Sequence, residues 1–145
     1  MSEPLSLVEQ MNRTNFIPTK TLLVLLDLTD YDAVWHDNNG NPKQQMTDVP
    51  QASKDCEDMK VAFRRFGVKQ DDIVEFPDKT LKGIKATYKK KVADRLGEGK
   101  RTRPRTNYAV VHVLAGHGVL FQGFSALCLP EYDPKTSWYR LFLAE

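Results

Sequence analysis

Asn107-Tyr-Ala-Val-Val-His-Val-Leu-Ala-Gly-His-Gly118 is the stretch whose reading decides the fold. The apolar, largely β-branched run from Tyr108 to Leu114 has no helical polar face, so it reads as a buried strand. It stops at a small-Gly-His-Gly turn, which delivers the imidazole of His117 to the rim of a sheet. Gly116 and Gly118 remove Cβ atoms where the backbone must turn and leave room for a ligand beside the ring. A histidine in such a turn serves catalysis or simply hydrogen-bonds a loop, and these residues alone do not choose. His112, flanked by valines within the strand, reads as a satisfied core histidine.

Working outward, Thr21 to Leu28 is a second continuous apolar run and reads as a central parallel strand. The polar loop from Thr29 to Thr47 is longer than a minimal connection; its Trp35 and His36 either touch a ligand or merely anchor and solvate the loop. Asp48 is placed to cap a helix, Pro50 suits its first turn, Gln51 completes a capping box and Gly67 closes it. Ala52, Cys56, Met59, Phe63 and Phe66 form one apolar stripe along that helix. Asp71 to Phe76 reads as a short strand. Thr80 then caps a helix running to Leu96 and ending at Gly97, with Leu81, Ile84, Tyr88 and Val92 facing inward. Strands alternating with crossover helices predict an α/β, doubly wound, mainly parallel sheet. After His117 a hairpin is expected to turn near Gln122-Gly123, and Trp138 to Glu145 reads as the start of another element.

The composition bounds the partners. Among 145 residues, 21 are basic and 19 acidic, a balance that gives no electrostatic footprint for nucleic acid. No apolar run has membrane-spanning length and the first residues lack a signal-peptide layout, so a cytoplasmic protein is expected. Cys56 and Cys128 show no metal-ligand spacing and read as reduced, buried thiols; no metal and no cofactor are expected. Residues 1–19 read as an arm and residues 20–145 as one domain. Lys100, Arg101, Arg103 and Arg105 make residues 97–106 a basic loop, either solvated and flexible or a docking site for acidic partners.

The order of these pieces resembles the caspase-like cysteine peptidase superfamily, and more closely its metacaspase and paracaspase branches. The likeness is carried by the strand from Leu22 to Leu28 and by Ala52-Ser-Lys-Asp55-Cys-Glu-Asp-Met59 with Phe63 and Gly67. It is completed by Ala115-Gly116-His117-Gly118, followed by a strand pair into Leu129-Pro130-Glu-Tyr-Asp133. It spans roughly residues 21–133 and implies the N-terminal half of a caspase-like domain, with a hairpin after the histidine strand. His117 is then the catalytic histidine of a Cys-His dyad, since an adjacent imidazolium lowers a thiol's pKa. Gly118 is the turn residue at the oxyanion position. Asp55 matches an acidic position that lines the S1 pocket and favours Arg or Lys at P1. Val49 supports that choice, because aspartate-specific caspases carry an arginine there. Without the family, Asp55 is equally a helix carboxylate favoured by the dipole.

The family's nucleophilic cysteine follows the histidine by several tens of residues. Cys128 comes too soon and Cys56 lies on a buried helix stripe, so neither matches it. The 145 residues are therefore expected to be inactive alone: a portion of a longer peptidase, a subunit completed by another chain, or a degenerate pseudoenzyme acting as a structural or binding partner. The expected partners are a peptide or protein substrate, and a second chain or homo-oligomer joined through the uncovered edge of the histidine strand. A rival is a doubly wound signalling module using Asp27 at the end of the first strand. Phosphotransfer is disfavoured, because Asp27-Leu-Thr-Asp30 lacks a second carboxylate at i+2 and the chain has no Gly-rich phosphate loop.

Overall fold

The computed structural model describes residues 6, 19–31, 46–136 and 138–143. Trp35, His36 and most of the 1–19 arm lie outside the described residues. Three parallel strands form one sheet in the order β2-β1-β3: β1 (Lys20–Asp27), β2 (Ile73–Glu75) and β3 (Tyr108–Ala115). β1 is central, and its ladder to β3 runs unbroken from Lys20 opposite Tyr108 to Asp27 opposite Ala115.

The continuous apolar run of β1 is explained by its two covered faces. Alternate side chains point to opposite sides of a sheet. Leu22, Val24 and Leu26 enter one core with Ile84 and Val92, whereas Leu23 and Leu25 enter another with Cys56 and Ile73. Helix α1 (Pro50–Arg65) covers the second face, and the helical run beginning with α2 (Leu81–Tyr88) covers the first. One crossover leads from β1 out to β2 and the next returns past β1 to β3. Crossovers of a single hand then place their helices on opposite faces.

α1 begins with Pro50 at its first position, as read from the sequence, but Asp48 does not cap it. Its carboxylate accepts from the Tyr31 backbone N–H at 2.7 Å instead, fastening the helix entrance to the loop after β1. At the other end Gly67 adopts φ +93°, with Gly67 N–H donating to Arg64 O and Val68 N–H to Phe63 O, both at 3.0 Å. This is a Schellman stop. It ends the apolar stripe at Phe63, leaving Phe66 exposed rather than inward-facing.

Thr80 caps α2 through its hydroxyl, which accepts from Gly83 N–H at 3.0 Å. The helix does not end at Gly97: it passes through a π-helical turn, Lys89–Ala93, and continues as α3 (Asp94–Gly99). Tyr88, at the entrance to the widened turn, faces the sheet with the rest of the inner stripe, stacked on His112, yet remains exposed. The basic loop that follows is exposed, and Thr106 N–H closes it onto Gly99 O at 2.9 Å.

The hairpin after His117 forms as expected, but in a sheet of its own. β4 (Gly118–Phe121), β5 (Phe124–Asp133) and β6 (Trp138–Leu143) make an antiparallel sheet in the order β4-β5-β6. The turn lies at Gln122 and Gly123, with φ of 49° and 82°, the paired positive values of a tight hairpin. Pro130 sits in the middle strand, where the β5–β6 register shifts between Cys128 and Tyr132. An irregularity of this kind is where a central strand can accommodate a residue with no N–H. The mixed α/β architecture thus holds, with the antiparallel strands separated from the parallel sheet.

Candidate active site

The parallel sheet ends level with Asp27 and Ala115, and the chain leaving β3 must cross the loop leaving β1. Leu28 N–H donates to Ala115 O at 2.9 Å, so the two exits stay paired for one more residue. Gly116 then passes directly over Tyr31. A Cβ at position 116 would lie 2.6 Å from the Tyr31 hydroxyl and 2.7 Å from Leu28 Cβ, so only glycine fits. Gly118 differs, since a Cβ there would meet only Ala126 O, at 3.8 Å. Packing requires the first glycine of the turn and not the second.

Tyr31 is fully buried and organises the turn from beneath. Its hydroxyl donates to Cys128 O at 2.7 Å and accepts from the His117 backbone N–H at 2.9 Å. Cys128 N–H in turn donates to His117 O at 2.9 Å, so the main chain of His117 is held on both sides. Burial pushes the Tyr31 phenol up to about 12, and the hydrogen bond from His117 opposes this only in part. The phenol therefore keeps the proton with which it holds Cys128 O.

The imidazole of His117 is half-buried and meets the Tyr31 ring edge-on, with centroids 4.6 Å apart and planes at 72°. Its Nε2 lies 2.6 Å from Thr47 O. A carbonyl oxygen only accepts, so Nε2 carries the proton and Nδ1 is the lone-pair nitrogen of the neutral ring. Thr47 is itself held in place. Val49 N–H donates to Thr29 O at 2.8 Å, and Met46 N–H donates to the Tyr139 hydroxyl at 2.8 Å.

The other sequence-predicted groups are placed less closely. Asp55 is exposed in the second turn of α1 and accepts from Gln51 Nε2 at 2.7 Å. No ion pair is made to it among the described residues. Asp27, at the end of β1, accepts from the Thr29 hydroxyl and lines a small cleft of about 90 Å³ with Ser53, Cys56, Glu75 and Lys79. Both cysteines are free and buried. Burial, with the Asp27 carboxylate adding to it, pushes the Cys56 thiol up to about 11, and burial likewise raises that of Cys128. This is the reverse of the electropositive setting that makes a thiolate.

His112 departs most from its expected environment. It is exposed rather than in the core, stacks on Tyr88 with planes at 13°, and its Nε2 lies 3.1 Å from the Tyr88 hydroxyl. Among the described residues β3 pairs only with β1, so His112 sits in an edge strand. Among the described residues, no cluster of three or more His, Cys, Asp or Glu is arranged to hold a metal, and no helix is long and apolar enough to cross a membrane.

Sequence reasoning missed two members of the site. Thr47 contributes only a backbone carbonyl, which leaves no trace in residue identity. Tyr31 stands in a polar loop, and its aromatic character was the only available signal. No protein-family model, curated protein or solved structure matches the chain.

Proposed function

We propose that this chain is the histidine-bearing portion of a caspase-like cysteine endopeptidase with Arg or Lys preference at P1, inactive until a nucleophilic cysteine is supplied to it. The observation that carries the reading is the hydrogen bond from His117 Nε2 to Thr47 O, 2.6 Å long, at the C-terminal end of the parallel sheet. It fixes the ring with Nδ1 as its basic atom, and open α/β sheets place their ligands at that end. In the proposed reaction Nδ1 takes the thiol proton as sulfur attacks the scissile carbonyl. The resulting imidazolium then returns the proton to the leaving amine. The Thr47 carbonyl holds the ring through both transfers.

The chain's own thiols do not suit that step, being buried and shifted toward the protonated form. The edge of β3, which is unpaired among the described residues, offers a place for a segment bearing the nucleophile, because a strand laid along it ends beside His117. Asp55 supports the P1 preference. Its hydrogen-bond partner, Gln51, is neutral and leaves the carboxylate charge for a guanidinium or ammonium to balance.

Turnover of Arg-P1 and Lys-P1 peptide reporters tests the reading. The 145-residue chain should stay at background, with or without calcium. The product of the native transcript should cleave, and His117→Ala should reduce the rate by about 10² to 10⁴. Cleavage by the 145-residue chain that is abolished in Cys128→Ala would contradict the proposal. So would full activity in His117→Ala; an inactive native product would favour the degenerate, partner-binding reading.

A further inference from the structure

Three features that the histidine site does not use converge on one cavity: the exposed His112 in the middle of β3, Tyr88 stacked on it, and the π-helical turn at Lys89–Ala93. The cavity measures about 700 Å³. It lies on the face of the parallel sheet away from α1, floored by Val24, Leu26 and Leu114 and walled by Ile84 and Phe142. Its volume falls within the range of small-molecule sites, and its walls are mainly apolar with a few polar groups. π-Helical turns recur at functional sites, and this one contributes Lys89 and Ala93 to the lining.

From this arrangement we infer that the cavity binds a free carboxylate with an apolar tail, the class of a medium-chain fatty acid. The charge of the lining selects the head group. Among the described residues its charged side chains are Lys85 and Lys89, both cations, and no carboxylate lines it. A cationic amphiphile would meet two like charges, whereas a carboxylate pairs with both. The Tyr88–His112 pair adds a donor in either tautomer. If Tyr88 donates to Nε2, His112 keeps an N–H on Nδ1; if Nε2 donates, Tyr88 keeps its O–H. The tail then covers apolar surface on the half-buried Leu114 and Phe142 that is otherwise open to water, above the buried floor of Val24 and Leu26. This inference stands apart from the peptidase reading, since neither His117 nor Asp55 lines the cavity.

Binding of monomeric laurate, compared with dodecylamine by titration calorimetry, tests it. Laurate should bind at least about tenfold more tightly. The double variant Lys85→Glu with Lys89→Glu alters only exposed side chains and should remove that preference. Ile84→Trp, which fills the cavity, should weaken both ligands; if it does not fold, the lysine variant decides alone. Laurate binding no tighter than dodecylamine, or unchanged in the lysine variant, would overturn the inference. Co-sedimentation with phosphatidylglycerol vesicles in the absence of laurate binding would do the same, by assigning the two lysines to a membrane surface.

Discussion

The backbone N–H of His117 donates to the hydroxyl of Tyr31 at 2.9 Å, while the two rings meet edge-on with centroids 4.6 Å apart. One buried phenol thus fixes both the main chain and the ring of the candidate base. The same hydroxyl donates to Cys128 O, tying the exit of the parallel sheet to the middle strand of the antiparallel one.

Tyr31→Phe keeps the ring and deletes the hydroxyl. His117 N–H and Cys128 O each lose a partner in a buried setting, so we expect a loss of about 1–3 kcal/mol in urea unfolding. The His117 amide should also exchange faster with solvent. A change within experimental error of zero would show that the phenol does not hold the turn.

The glycines of the turn should respond differently. Gly116→Ala places a methyl group 2.6 Å from the Tyr31 hydroxyl and 2.7 Å from Leu28 Cβ, and should cost about 1–3 kcal/mol as the loops are pushed apart. Gly118→Ala meets ordinary contact at 3.8 Å and should stay within about 0.5 kcal/mol of the parent. Equal losses at the two positions would mean that the close approach at Gly116 is relieved elsewhere.

Alkaline pH should destabilise the fold. Cys56 rises from 9.0 to about 11 and Tyr31 from 10.0 to about 12, so each holds its proton longer when folded than when unfolded. Groups raised in this way contribute their full stability below the unfolded value and lose it as pH climbs through the folded one. Stability should therefore begin to fall near pH 9 and continue falling through 11 to 12. Cys56→Ala should flatten the lower part of that decline. Stability that is level or rising over this range would contradict the buried, protonated assignments.

Self-association should follow from the β3 edge. Tyr108–Ala115 contains no lysine, proline or carboxylate, the devices that normally blunt an edge strand. Sedimentation at micromolar concentration should show association, and His112→Lys, at an exposed position in the strand, should reduce it. A clean monomer with a slowly exchanging β3 edge would mean that the edge is covered.

The sequence made the scaffold readable because the scaffold's signals are local. The unbroken apolar run of β1 reports burial on both faces, and Thr80 and Gly67 mark helix ends through their own chemistry. His112 was misjudged for a non-local reason. Flanking valines show that β3 has packed faces, but whether its middle meets water depends on which strand lies beyond it. Asp48 was misread because its carboxylate serves a residue 17 positions away rather than its own helix. His117 could be located from its turn, whereas the carbonyl that orients it belongs to Thr47, 70 residues earlier in the chain.

That orientation is also what can be measured most directly. Two-bond proton–nitrogen correlation spectra of the imidazole side chains report which ring nitrogen carries the proton. In its neutral form the His117 ring is expected to show a single tautomer, protonated at Nε2 with a bare Nδ1, as its bond to Thr47 O requires. A ring protonated at Nδ1, or averaging between tautomers as a solvated histidine does, would remove the fixed base on which the peptidase reading rests.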